Sequence, residues 1–191
     1  MKGITVGFAM CGSFCTFENT LKLMEALRCE GAEVLPVMSF NAASLDTRFG
    51  TAESFRARVE TICGRPAIRT IEDAEPIGPQ KMCDILLVAP CTGNTLAKLA
   101  AGITDTPVTM AVKSHLRGGC PVVLAVSTND ALSAAAKNIG ELMNRRHYYF
   151  VPLLQDDCAR KPTSLTADLR LAPEALRAAL SGVQLQPVLA V

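Results

Sequence analysis

Six residues near the middle of the chain, Pro90-Cys91-Thr92-Gly93-Asn94-Thr95, join a proline that can stop a strand to small polar side chains, and the chemistry they could do is to hold an anion. Before them, Asp84 to Ala89 is almost wholly aliphatic, which suits a strand buried on both faces of a parallel sheet. Pro90 has no N–H to donate, so it is expected to end the ladder. After them, Leu96, Leu99, Ala100 and Ile103 recur at helical spacing, with Thr92 or Asn94 available as the cap and Gly102 as the stop. The free N–H groups and positive dipole end of such a helix attract phosphate, and small side chains let it approach. Two thiols lie close by in this scheme. Cys91 stands at the helix start, where the dipole lowers a thiol pKa, and Cys11 lies in the first loop. Either could react, and the competing reading is that both are small buried packing groups.

The elements that must position these residues alternate from end to end. Ile4–Ala9 reads as a first strand, Phe17, Leu21, Met24 and Leu27 as one face of a helix ending before Gly31, and Ala32–Met38 as a second strand. Residues 41–80 are more polar, with a helix expected over Thr51–Cys63 and a Pro/Gly-rich stretch from Glu75 to Pro79 where insertion or mobility is expected. Asp105-Thr106-Pro107 reads as a cap with proline at the first helical position, opening a helix to about Leu116. Pro121–Val126 is a further buried strand, Leu132, Ala136, Ile139 and Met143 a helical face, and Tyr148–Val151 a short last strand. This order predicts an α/β fold with a mostly parallel sheet and helices on both faces. Ligands in such folds sit at the carboxyl ends of the strands. That rule gathers four loops, Met10–Thr16, Ser39–Ser44, Pro90–Thr95 and Ser127–Asp130, all rich in Ser, Thr, Asn or Gly. Each alone is explained by turns and caps; four on one edge point to a site.

Composition narrows the partners. With 191 residues, 49% of them apolar, the chain supports one well-filled core and is read as a single domain. A net charge of +1, with both signs interspersed, gives no nucleic-acid footprint and no polybasic membrane patch, so a small molecule or another subunit is expected instead. The start of the chain lacks the continuous apolar core of a signal peptide, and no run approaches the roughly 20 apolar residues of a membrane span. A cytoplasmic location is the expectation. The eight cysteines are spread singly and include no C-x-x-C, so reduced, mostly buried thiols are expected, and with two histidines and no clustered ligands no metal site is expected.

The strand–Pro-x-x-x-Asn-Thr–helix segment, with Gly7, Gly12 and Ser13 in the first loop, Ser39 at the exit of the second strand, and Leu96–Asp105, resembles the flavoprotein family of peptidyl-cysteine and phosphopantothenoylcysteine decarboxylases and flavin prenyltransferases. The resemblance covers residues 3–152 and implies a three-layer αβα Rossmann-like fold, with residues 153–191 a C-terminal extension packing on that domain or on a neighbouring subunit. It implies FMN as cofactor, with Gly12, Ser13, Ser39, Pro90, Thr92, Asn94 and Thr95 as its contacts, and a homo-oligomer. Two departures bear on the chemistry. Arg65–Lys81 lacks the histidine that the decarboxylases use, and their Pro-x-Met-Asn motif is replaced by Ala125-Val126-Ser127-Thr128-Asn129-Asp130. Cysteine decarboxylation is therefore not expected.

A narrower resemblance accounts for those departures. Ala125–Leu132, Ala136–Gly140, Tyr149–Pro152 with Gln155-Asp156, and Lys161–Asp168 look like the B subunits of dipicolinate synthases, over nearly the whole chain. This implies a part in oxidising a dihydrodipicolinate to dipicolinate during sporulation, with NAD or NADP carried by a separate A-type subunit. Gly7-Phe8-Ala9-Met10-Cys11-Gly12 lacks the G-x-G-x-x-G fingerprint, which agrees with a dinucleotide held elsewhere. A dicarboxylate substrate needs cations or helix N-termini, and Ser127, Thr128 and Asn129, at the opening of a helix beginning near Asp130, are the expected substrate contacts; the same residues could simply cap that helix. No catalytic residue is assigned. Lys113, His115 and Arg117 read as a solvated helix end, Lys137 and Asn138 as an exposed turn or a contact to a partner or a ligand, and Lys161-Pro162-Thr163-Ser164 as a segment that closes over the site, docks on a neighbour, or does neither. The alternatives are an altered FMN-dependent decarboxylase or prenyltransferase-like enzyme, and a non-catalytic subunit that binds flavin or phosphate.

Overall fold

The computed structural model describes residues 1–189, and its first crossover shows how the apolar pattern becomes structure. Thr5–Met10 forms β1 and Glu33–Met38 forms β2, paired in parallel from Thr5 beside Glu33 to Met10 beside Met38. Between them α1, Phe17–Cys29, turns Phe17, Leu21, Met24 and Leu27 into the core, the face their spacing predicts. Three helices follow, α2 (Phe40–Ser44), α3 (Ala52–Cys63) and α4 (Ile71–Ala74). Each opens on a hydroxyl cap: Ser39, Thr51 and Thr70 accept from the amides of Ala42, Ser54 and Asp73. The third strand, β3 (Ile85–Cys91), pairs in parallel with β1 on one side and with β4 (Val122–Thr128) on the other. Connecting β3 to β4 are α5 (Gly93–Ala101), which Gly102 closes in the left-handed conformation, and α6 (Pro107–Arg117), with Thr106 and Thr109 in a reciprocal capping box. Then come α7 (Ala136–Met143), β5 (Tyr148–Phe150), the short strands β6 (Leu153–Leu154) and β7 (Leu165–Ala167), and α8 (Ala172–Leu180).

The sheet runs β2-β1-β3-β4-β7-β6, with β5 also beside β4. Every residue of β3 is buried, and since successive side chains point to opposite faces, both faces of the sheet are covered there. The first half of β4 pairs in parallel with β5, while Ser127 and Thr128 at its end pair antiparallel with Thr166 and Leu165 of β7. Residues 153–180 thus pack back on the sheet, and α8 buries Ala172, Ala175, Leu176 and Ala179. Positions 190 and 191, the last two of the expected C-terminal extension, lie outside the described residues.

Four expectations need correction. Pro90 does not end β3, because the register shifts between Val88 and Cys91; the ladder passes over the residue that lacks an N–H and resumes with Cys91 opposite Val126. No helix opens at Asp130: Ser127 and Thr128 complete β4, a run of turns follows, and α7 begins at Ala136 without a side-chain cap. Leu132 therefore leaves the helical face and is 52% exposed. The stretch from Glu75 is not a loose insertion, since Ala74 and Ile77 are fully buried, Gly78 N donates to Ser114 Oγ on α6 at 2.9 Å, and Ser114 Oγ donates in turn to the carbonyl of Glu75. His115 does not belong to a solvated helix end; it is 1% exposed, with Nδ1 3.6 Å from Cys83 Sγ.

Candidate functional site

The carboxyl ends of β1, β3 and β4 open into a polar cavity of about 410 Å³. Three of the four expected loops line it, through Gly12, Ser13 and Thr16, through Thr92, Gly93 and Asn94, and through Ser127 to Asp130. Ser13 Oγ lies 3.0 Å from Ser127 Oγ, a hydroxyl contact that joins the first loop to the end of β4. The fourth loop stands beside the cavity and outside its lining. Ser39 N donates to Met10 O at 2.9 Å, its hydroxyl caps α2, and Gly12 abuts Asn41 closely enough that an added Cβ would sit 3.4 Å from Asn41 Cβ.

Around α5 the polar side chains divide between structure and cavity. Thr92 Oγ1 accepts from Thr95 N at 3.3 Å, and Asn94 is exposed at the cavity. Thr95 turns inward, is buried, and donates its hydroxyl to Cys11 Sγ at 3.1 Å. Pro90 also lies away from the lining, its carbonyl accepting from Cys11 N at 3.2 Å. Gly93 fills a tight place: a Cβ there would stand 2.7 Å from Thr128 Oγ1 and 3.0 Å from Asp130 Oδ1. A side chain here would have to push the Thr128 and Asp130 side chains aside, so the glycine lets the end of β4 close against the start of α5. Thr128 Oγ1 donates to Asp130 Oδ1, so these two side chains form a fixed pair on the cavity wall. Asn129 is exposed, and its carbonyl accepts from Thr163 Oγ1 at 2.6 Å.

The remaining wall consists of Asp156, Lys161 and Ser164 to Thr166. Of these, the sequence singles out the Lys161–Ser164 segment without placing it, and it does not mark Asp156 as a site residue. The signal that could have found them is the cluster of hydroxyls and charges in a tail that needs none for packing. Lys161 Nζ donates to Asp156 Oδ2 at 3.0 Å. That contact holds the Asp156 carboxyl below its usual range and raises the ammonium of Lys161. A larger and more apolar groove of about 570 Å³ adjoins this cavity between α1 and the tail, sharing Thr16 and Thr166 with it.

The thiols are not poised for reaction. Burial pushes Cys11 up to about 11, against a smaller lowering by its hydrogen bond from Thr95, and burial lifts Cys91 well above the ordinary thiol value. Cys91 is the last residue of β3 and fully buried, so desolvation outweighs the helix dipole expected to lower it. Lys137 is exposed on α7 and Asn138 half-buried, neither lining the cavity.

Comparison with known proteins agrees with this architecture. Residues 1–167 match the model of the family described as Flavoprotein, and the chain belongs to that family, whose Rossmann-like α/β fold it has. Within it, the chain is 44% identical over 189 residues to the B subunit of dipicolinate synthase from Bacillus subtilis (strain 168), an alignment spanning 99% of this chain and 94% of that one. The crystal structure of the corresponding B subunit of dipicolinate synthase from Bacillus halodurans C superposes with a TM-score of 0.91 at 41% identity, over 100% of this chain and 97% of the other. An FMN-dependent cysteine decarboxylase, SpaF, shares the fold with a TM-score of 0.68 at 23% identity, over 94% of this chain and 98% of that one. No described helix is long and apolar enough to cross a membrane.

Proposed function

We propose that this chain is the B-type subunit of a dipicolinate-forming oxidoreductase, acting during sporulation in the cytoplasm with an A-type subunit that carries NAD or NADP. The observation that carries the reading is similarity to the B subunits of two dipicolinate synthases along almost the full length of both chains. It is supported by a polar cavity at the carboxyl ends of three parallel strands, where α/β folds take their ligands.

The donor set of that cavity fits FMN. The amino end of α5, the exposed amide of Asn94 and the hydroxyl of Ser13 are what a phosphate ester and the polar edge of a flavin require. Gly12, Ser13, Thr92 and Asn94 would hold the cofactor directly, while Ser39, Pro90 and Thr95 would support the loops that do so. A bound flavin would supply a hydride acceptor. Ser127, Thr128 and Asn129 are assigned to the substrate, Ser127 orienting it through the hydroxyl shared with Ser13 and Thr128 acting through Asp130. The protein chiefly positions the ring, since forming an aromatic product favours loss of hydrogen. A second reading, a ligand-binding subunit that leaves the chemistry to its partner, is favoured by the burial of both Cys11 and Cys91. FMN titration of the purified chain, followed by the visible spectrum, tests the cofactor assignment. Uptake by wild type and its loss in Asn94→Asp, which puts a negative charge beside the phosphate, is the expected result; equal uptake by both overturns the assignment.

A further inference from the structure

The carboxyl end of α5, one face of α6 and the turn before β5 frame a second groove, away from the polar cavity. Val122 N, at the start of β4, donates to His147 O at 2.8 Å, so this turn sits at the amino end of the strand whose carboxyl end lines the polar cavity. Seven strand residues hold the two places ~20 Å apart. The groove encloses about 460 Å³, a size ordinary for small-molecule sites. Its apolar walls are Leu99 and Ile103 at the end of α5, Val112 and Leu116 on α6, and the ring of Tyr148. Ile103 stands 46% exposed there.

Cations line this groove and, among the described residues, no carboxylate does. Lys113, Arg145 and Arg146 come from two places in the chain, so the fold gathers a basic cluster that no run in the sequence announces. Cations near helix ends ordinarily answer exposed carbonyls, and one of the three does so. Arg145 donates to Leu99 O at 3.1 Å and Ala100 O at 2.6 Å, and is paired with Glu141 at 2.9 Å. The last carbonyls of α6 are met by backbone instead, His115 O by Gly118 N and Leu116 O by Gly119 N. Asp105, beside the lining residue Thr104, is held by Lys98 at 2.8 Å. Lys113 and Arg146 are left over: both are exposed, and neither has an ion-pair partner among the described residues. Tyr148 adds a neutral hydroxyl, since burial pushes it up to about 12, and a neutral hydroxyl can donate to a carboxylate.

We propose that this groove is a second small-molecule site, and that it takes an organic carboxylate with a compact apolar body. The body packs on Leu99, Ile103 and Leu116, and the carboxylate is held by Lys113 and Arg146. Each half of the complementarity excludes a different class of molecule. A neutral apolar compound leaves two cations unanswered, and a small hydrophilic anion leaves the apolar walls wet. A carboxylate on an apolar body answers both.

Calorimetric titration of the full chain with 2-naphthoate tests this. Wild type is expected to bind it saturably, with a Kd on the order of 1 mM or tighter, the range open to a ligand of that size. Naphthalene-2-methanol keeps the body without the charge and acetate keeps the charge without the body, and each should bind at least ~10-fold more weakly. Lys113→Ala and Arg146→Ala should each weaken naphthoate by about 3-fold, the size of an exposed charge contact, and added salt should weaken wild type in the same way. Ile103→Glu, which sets a like charge on the apolar wall, should abolish binding. All three positions are exposed, so these variants should melt as wild type does and lost binding is separable from lost fold. Arg65→Ala removes an exposed cation outside the groove and should bind as wild type does, which separates the groove from a general charge effect. Unchanged affinity in both Lys113→Ala and Arg146→Ala, equal binding of the alcohol, or no saturable binding by wild type overturns the proposal. A groove shaped for an acidic protein surface instead of a small acid would give the last of these results.

Discussion

Thr92 and His115 show how single side chains in this molecule divide between shaping the cavity and supporting it. Thr92 lines the cavity and caps α5 at once. Thr92→Ala is expected to cost about 1 kcal/mol, the usual value of a lost hydroxyl cap, read as a lowered urea midpoint with an unchanged slope. His115 is buried, and burial holds its pKa below the ordinary 6.5. Its unfolded form therefore binds protons that the folded form refuses, so stability is full above about 6.5 and falls as the pH drops from there toward the folded pKa. The carboxylates held low by cationic partners, Asp105, Asp156 and Asp168, lose their contributions only at more acidic pH, below their ordinary 3.8. Urea unfolding at pH 7 and pH 5.5 should show the loss in wild type and little of it in His115→Gln; equal slopes against pH in both would reject the assignment. His115 departs from its sequence-based expectation, and Cys11 and Cys91 take the second of their two readings, for one reason. Position relative to a helix end is visible in the chain, but burial, which decides their ionisation, is set by distant elements.

Elements with local signatures were legible, and those made by long-range pairing were not. The α1 face, the caps at Thr92 and Thr106, and the Gly102 stop follow from neighbouring residues and stand as expected. The length of β3 was underestimated because the register shift that carries Pro90 belongs to the pair β3–β4. The helix expected at Asp130 failed similarly, since Ser127 and Thr128 are drawn into strand by β7, almost 40 residues later in the chain. The stretch from Glu75 to Pro79 reads as loose because Pro and Gly dominate it, yet its glycine is there for close packing on α6. A Cβ on Gly78 would collide with the carbonyl of Ser114. Gly78→Ala should therefore destabilise by about 1–3 kcal/mol, the cost of overpacking. Gly140, interior to α7 with open space around it, provides the contrast: Gly140→Ala should stabilise by about 0.5–1 kcal/mol, and both follow from thermal unfolding of the variants.

At the scale of the whole molecule, the tail is part of both core and site. Leu176 of α8 is fully buried against the sheet, so Leu176→Ala should cost about 2–5 kcal/mol, measurable by denaturant unfolding. Between β6 and β7, the same tail carries Lys161 and Asp156 to the cavity whose other walls come from β1, β3 and β4. The candidate site was half legible for this reason. Loops that follow parallel strands share an edge by rule, whereas a wall delivered from residues 156–166 depends on how the tail folds back. Central to all of this is the proposal that the chain supplies an indispensable part of a dipicolinate-forming enzyme. Its most direct test is the rate of nicotinamide reduction with a dihydrodipicolinate, measured for the A-type partner alone, for the partner with this chain, and for the partner with Ser13→Ala or Asp130→Asn. The predicted result is a rate that requires this chain and falls in both variants; a partner that reaches the full rate without it would contradict the proposal.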